Sequence, residues 1–192
     1  MRLIEIRRSR MRRLLVYILW LLSMGLLQTV WPPLGRLGFK PNFLLALASL
    51  SGFLFGGGDG LWIGLIAGFM LDFFHGRAIG LGMLVLMLGG ILASRFLRRR
   101  ASRNIVFALL AVAIVQVLFT LASHAAILLT LWLADLPLPQ PEPLPLLEEL
   151  AGPVLPTLLA AAPMYVLLYF VGPYRRRSRS NTIDMRVDAT RI

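Results

Sequence analysis

Apolar residues in this chain fall into six long segments that are separated by short stretches rich in arginine, glycine or proline. A long apolar segment with few charged residues is typical of a helix that crosses a membrane. The pattern predicts such helices over residues 14–31, 42–55, 60–74, 79–96, 104–133 and 153–171.

Two of the predicted helices are short for a membrane span. About 15 residues at 1.5 Å each reach roughly 22 Å, whereas the hydrocarbon core of a bilayer is roughly 30 Å thick. We expect the second and third helices to thin the bilayer, to recruit flanking residues, or to pack inside the bundle away from lipid. The fifth helix is long, so it must tilt strongly or extend beyond the membrane.

Composition points to the same class of protein. The 192 residues are 58% hydrophobic and 15% charged, which is more apolar than a soluble domain of this length can cover. The predicted fold class is therefore all-α, a polytopic integral membrane protein with six transmembrane helices. A net charge of +11 would suggest a nucleic-acid partner in a soluble protein. Here the arginine residues flank apolar segments, so we expect no nucleic-acid partner. The chain has no cysteine, which excludes disulfides and thiolate metal ligands.

The arginine clusters predict the orientation of the chain. They precede the first segment, separate the fourth from the fifth, and follow the sixth, and together they hold 17 of the 20 basic residues. With six spans all three clusters face one side, which the positive-inside rule assigns to the cytoplasm. Both termini are then cytoplasmic. The predicted organisation is a basic segment 1–13, a transmembrane domain 14–172 with an external proline-rich loop 135–152, and a basic tail 173–192.

Small residues recur at every fourth position in the third segment, as Gly60, Gly64 and Gly68, and the next step is Asp72. Such a stripe lets helix backbones approach closely in lipid, and a carboxylate at that depth needs a partner. Two interpretations stay open: a groove for a neighbouring helix of the same chain, or a surface that binds another protein. The expected partners of Asp72 lie nearby: His75, Arg77 and the start of the fourth helix.

Prolines alternate with other residues between positions 137 and 145, and they include Pro139, Pro141 and Pro143. Alternating prolines favour an extended polyproline II rod, which over nine residues reaches roughly 28 Å. The rod is either a stiff connector or an external ledge that a partner binds.

The sequence predicts no catalytic, cofactor-binding or metal site. Gly56-Gly57-Gly58-Asp59 matches the G-x-G-D signature of intramembrane aspartyl proteases. Those enzymes need two adjacent carboxyl groups, whereas 13 residues of helix place Asp59 and Asp72 roughly 20 Å apart. We therefore interpret Asp59 as the N-cap of the third helix and do not expect an enzyme.

A row of polar residues lies in the fifth segment: Gln116, Thr120, Ser123 and His124. Such side chains form hydrogen bonds across helix interfaces, or they line the path of a solute.

Residues 40–95 resemble the family of the rod shape-determining protein MreD. The resemblance rests on Lys40-Pro-Asn-Phe-Leu-Leu, on the G-x-x-x-G-x-x-x-D stretch that ends at Asp72, and on Ile79-Gly-Leu-Gly-Met-Leu. It implies a multi-pass protein of the bacterial inner membrane, a non-catalytic scaffold of peptidoglycan synthesis and cell elongation. Such a protein binds MreC and, indirectly, MreB, RodZ, RodA and a class B penicillin-binding protein. We expect the partner contacts at Gly60, Gly64, Gly68 and Asp72, and at the ledge with Pro139, Pro141 and Pro143, although the ledge is not part of the resemblance.

The family's fold is also similar to the substrate-binding subunits of energy-coupling-factor transporters. The alternative function is therefore a vitamin-binding subunit, which requires a pocket of convergent polar or aromatic side chains. The candidates for that pocket are Trp62, Gln116 and His124. Anionic membrane lipids are expected partners under either function, because arginine clusters attract acidic headgroups.

Overall fold

The computed structural model describes residues 2–32, 40–75, 80–97, 104–134 and 151–172. These residues form six α-helices: α1 (Arg2–Val30), α2 (Phe43–Phe55), α3 (Gly57–His75), α4 (Leu81–Leu92), α5 (Ile105–Leu133) and α6 (Val154–Val171). A π-helical turn, Ala93–Leu97, extends α4. The helices lie on the six apolar segments of the sequence, so the all-helical fold class is confirmed.

Four stretches of helix are long and apolar enough to cross a membrane: Met11–Val30, Gly57–Phe74, Ile105–Leu133 and Val154–Val171. Two apolar helices are shorter, Phe43–Phe55 and Leu81–Arg95. The chain is therefore a membrane protein, and a crossing by all six helices stays a prediction. The third helix was expected to be short, but it has 19 residues and belongs to the long group.

Successive helices run in opposite directions through the bundle. The ring centroid of Tyr17 in α1 lies 6.2 Å from that of Phe55 at the end of α2. Gly172, directly after α6, lies against the same Phe55 ring. We call the end where α1, α3 and α5 begin, which carries Arg13 and Arg95, the basic end, and the opposite end the far end.

The centre of the bundle is α2, which contacts each of the other five helices. All eleven residues from Phe43 to Phe53 are buried. At 13 residues the helix is about 20 Å long, too short to span the hydrocarbon core alone. Of the three expectations for this short helix, packing inside the bundle is the one the structure shows.

A single residue separates α2 from α3. Gly56 has a φ of 126°, a left-handed conformation that glycine adopts without strain. Helix α3 begins directly after it, so Asp59 lies within the first turn and the prediction of an N-cap is wrong. The run of glycines suggested a longer break, but only one residue has to leave the helical conformation. A carboxylate in the first turn still interacts favourably with the helix dipole.

Candidate functional site

The most extensive helix packing among the described residues joins α3 to α4. We call it the glycine interface, and it consists of Gly60, Gly64, Gly68, Gly82, Leu86 and Gly90. A Cβ atom on Gly64 would lie 2.7 Å from the carbonyl carbon of Leu86, and one on Gly68 would lie 2.5 Å from that of Gly82. Real side chains do not approach backbone so closely. The two backbones are therefore in direct contact, as expected for small residues at fourfold spacing in lipid.

At its basic end the glycine interface includes a third helix. A Cβ atom on Gly60 would lie 2.6 Å from the Cα atom of Gly52 in α2, and 3.0 Å from the carbonyl carbon of Gly90 in α4. Three backbones thus meet where each helix has a glycine. This contact fixes the depth of α2 relative to α3 and α4.

Asp72 closes the glycine interface at the far end. Its carboxylate accepts a hydrogen bond of 2.8 Å from the backbone N–H of Gly80 and one of 2.9 Å from that of Gly82. These N–H groups lie at the start of α4 and have no partner within their own helix. Asp72 is 1% exposed, so the interaction is shielded from solvent and lipid. Position 82 has to be glycine, because a Cβ atom there would collide with the carboxylate.

The structure decides how the stripe is used within the chain. Gly60, Gly64 and Gly68 form a groove that α4 fills, and Asp72 pairs with the start of the fourth helix, which was one of its three expected partners. The side chains of His75 and Arg77 lie outside the described residues. Binding of another protein by the stripe stays a prediction.

A second polar cluster, which the sequence reasoning missed, caps the start of α2 at the far end. The backbone N–H of Asn42 donates to Thr157 Oγ1 of α6 at 3.1 Å, and that of Phe43 donates to Gln28 Oε1 of α1 at 2.8 Å. The N–H of Leu45 donates to the side chain of Asn42 at 3.2 Å. Two other helices and the N-cap residue Asn42 thus supply acceptors for the free N–H groups of one helix end. Asn42 after Pro41 was a detectable cap signal, whereas the other two acceptors come from distant segments.

The polar row of α5 is oriented into the bundle. Gln116, Thr120 and Ser123 are buried. The hydroxyl groups donate to backbone carbonyls of their own helix, Thr120 to Gln116 at 3.1 Å and Ser123 to Phe119 at 2.9 Å. Gln116 Oε1 is buried without a hydrogen-bond partner among the described residues. These bonds lie within α5 rather than across an interface.

Two open grooves flank α1. One, of about 360 Å³, lies between α1 and α3 and includes Arg13, Asp59 and Trp62 in its lining. The other, of about 320 Å³, lies between α1 and α6 and is lined by apolar residues. Gln116 and His124 are not among the described residues that line either groove, so Trp62 does not converge with them there.

The positions of the acidic and histidine side chains bear on metal binding and on the aspartyl protease signature. Within them, no three His, Asp or Glu side chains lie together in a way that could hold a metal ion. Asp59 and Asp72 lie in the first and last turns of α3, at opposite ends of the bundle. Pro139, Pro141 and Pro143 lie outside the described residues.

The fold and its interfaces define a polytopic helical membrane protein whose polar groups serve helix ends and helix packing. A family model identifies the class further. The chain belongs to the family described as rod shape-determining protein MreD, whose model matches residues 8–136, or 129 of the 192 residues. This family is a structural one with a role in determining rod shape, so the resemblance seen in the sequence is confirmed.

Neither the comparison with curated proteins nor the comparison with solved structures found a match. Similarity of the fold to energy-coupling-factor subunits therefore stays a prediction.

Proposed function

We propose that this chain is a non-catalytic scaffold of the bacterial inner membrane that binds MreC and supports the machinery of cell elongation. Membership of the MreD family supports the role in cell shape. The structural feature that supports binding of a partner is the far end of α5. MreB, RodZ, RodA and a class B penicillin-binding protein are then reached through MreC.

Helix α5 is longer than a membrane crossing requires. Its 29 residues extend about 43 Å, compared with roughly 30 Å for the hydrocarbon core. The last of its buried residues is Ser123, so the final turns project past the neighbouring helices. These turns expose large apolar side chains around the helix: Ile127, Leu128, Leu129, Trp132 and Leu133. A helix that is apolar on all sides is stable only in apolar surroundings.

We place the contact with MreC on this projecting end of α5 and on the proline-rich ledge that follows it in the chain. The ledge with Pro139, Pro141 and Pro143 lies outside the described residues, and its first proline, Pro137, follows the last residue of α5 by four positions. Contact through Gly60, Gly64, Gly68 or Asp72 is the weaker alternative, because α4 would have to move away from α3 first.

The proposed orientation places the basic end in the cytoplasm. Arg12, Arg13 and Arg95 lie there, and α6 ends there as well, so both chain termini are on the cytoplasmic side by the positive-inside rule. The projecting end of α5 is then on the outer side, where a bitopic partner can reach it.

Co-purification of MreC tests the proposed contact. The matched substitutions are Leu129→Gln on the projecting end and Leu84→Gln on α4, because these leucines are 56% and 59% exposed. We expect Leu129→Gln to lower the MreC recovered per chain by about fivefold or more, as for an interface residue worth about 1 kcal/mol. Leu84→Gln should retain it. Equal recovery with both variants would remove α5 from the proposed interface.

The cellular role has its own readout. Cells depleted of the native protein should regain rod shape with Leu84→Gln and stay rounded with Leu129→Gln, at equal membrane levels of both variants. Rod shape with both variants would show that the contact is dispensable for the family's role.

A further inference from the structure

The groove between α1 and α3, the α1–α3 groove, has the form of a cleft that is open at the basic end. Its walls come from one face of each helix: Arg13, Leu14, Tyr17, Ile18 and Leu21 of α1, and Asp59, Trp62, Ile63 and Ile66 of α3. The two helices run in the same direction, and they come into contact toward the far end, where they close the cleft. There a Cβ atom on Gly25 would lie 2.5 Å from Met70 Cε.

The chemistry of the α1–α3 groove changes along its length. The deeper part is apolar, with Ile18 and Ile66 on its two walls. Of the side chains that the structure describes, the mouth carries Arg13, the adjoining exposed Arg12 and Asp59, which is two positive charges and one negative charge. Trp62, at the mouth and 65% exposed, has the position that tryptophan prefers at a membrane interface.

The position of α1 leaves this cleft open to the membrane. Only 17% of its membrane-length stretch is buried inside the protein, compared with 39% for α3 and for α5. Most of α1 therefore faces lipid on both sides of the cleft. A cavity of about 360 Å³ is within the usual range for a small-molecule site.

We propose that the α1–α3 groove binds one anionic phospholipid, with an acyl chain between Ile18 and Ile66 and the phosphate at Arg13. Basic pockets between transmembrane helices at the cytoplasmic side favour acidic headgroups. A partner helix fits the groove less well, because helix interfaces in lipid require small residues and these walls are large and branched. The site is separate from the α5 surface, so it does not depend on the binding of MreC.

Native mass spectrometry of the full chain in mild detergent, with equal amounts of phosphatidylglycerol and phosphatidylcholine, tests the proposal. The matched variants are Ile66→Trp, which fills the groove, and Ile114→Trp on α5, because these isoleucines are 42% and 44% exposed. We expect the wild type and Ile114→Trp to retain phosphatidylglycerol in preference. Ile66→Trp should lose that preference. Equal retention by both variants, or equal retention of the two lipids by the wild type, overturns the proposal.

A charge variant tests the headgroup. Arg13→Gln should lower phosphatidylglycerol retention by about fivefold and leave phosphatidylcholine unchanged, because one arginine at an anionic membrane surface contributes about that factor. The thermal midpoint of each variant shows whether it is folded. If Arg13→Gln does not fold, Ile66→Trp still tests the proposal, because it changes no charge. Inorganic phosphate should not displace the lipid. Displacement by inorganic phosphate alone, or by MreC one for one, identifies a different occupant and overturns the proposal.

Discussion

The carboxylate of Asp72 binds the backbone N–H of Gly82 with both oxygens, at 2.9 and 3.0 Å, from ten residues earlier in the chain. Because it also accepts from Gly80, one side chain closes the end of α3 onto the start of α4. The acidic residue of the G-x-x-x-G-x-x-x-D stretch thus caps the start of the next helix of the same chain.

Removing this carboxylate should destabilise the bundle. Asp72→Ala leaves one buried and one partly buried N–H group without an acceptor, and we expect a loss of about 2 kcal/mol or more in the free energy of unfolding. Asp72→Asn keeps one acceptor oxygen and should lose less. Thermal unfolding in detergent, followed by gel filtration, measures both. A midpoint for Asp72→Ala equal to that of the wild type would contradict the capping role.

Position 68 should not accept even one added methyl group. Gly68→Ala forces α3 and α4 apart and should cost about 1–3 kcal/mol, as overpacking does. Gly58→Ala is the matched control, because a Cβ atom there meets nothing within 4 Å. We expect it to be neutral or to stabilise by about 0.5–1 kcal/mol.

Larger substitutions in the stripe separate an effect on folding from an effect on partner binding. If Gly64→Leu or Gly68→Leu loses MreC while the thermal midpoint is unchanged, the stripe contacts the partner. We expect the midpoint to fall instead, with any loss of MreC as a consequence.

Gln116 offers a substitution that should stabilise the protein. Its Oε1 atom is buried without a partner among the described residues, and the side chain is 3% exposed. Replacing an amide whose buried oxygen is unsatisfied with an apolar side chain of similar size removes a desolvation cost of about 1 kcal/mol or more. Gln116→Leu should therefore raise the thermal midpoint. A drop in the midpoint would show that the amide has a partner after all.

The absence of cysteine makes the topology directly testable. Single variants Ser9→Cys, Pro139→Cys and Ser178→Cys can be labelled with a membrane-impermeant maleimide in spheroplasts. We expect labelling of Pro139→Cys at once, and of the two terminal positions only after the membrane is permeabilised. Labelling of Ser9→Cys and Ser178→Cys on opposite sides would refute the six-span orientation.

Helix positions were predictable because apolar segments and their glycine or proline boundaries are local features. The stripe and Asp72 were also visible, since helical spacing alone places them on one face. The start of the fourth helix was among the expected partners of Asp72, but the helix that fills the glycine groove was not predictable, because Gly82 and Gly90 belong to a separate segment. Gln28 and Thr157 were missed for the same reason: their acceptor roles exist only when α1, α2 and α6 come together.

The single-residue junction at Gly56 has a consequence for how the protein is made. Since α2 has only 13 residues and has no connecting loop before α3, it is too short to hold a stable transmembrane position by itself. The two helices should therefore enter the membrane together as one helical hairpin. In that hairpin α2 packs against α3 until α4, α5 and α6 are inserted and complete the bundle. Extra residues inserted after Gly56 should separate the insertion of α2 from that of α3 and make the chain more susceptible to membrane proteases.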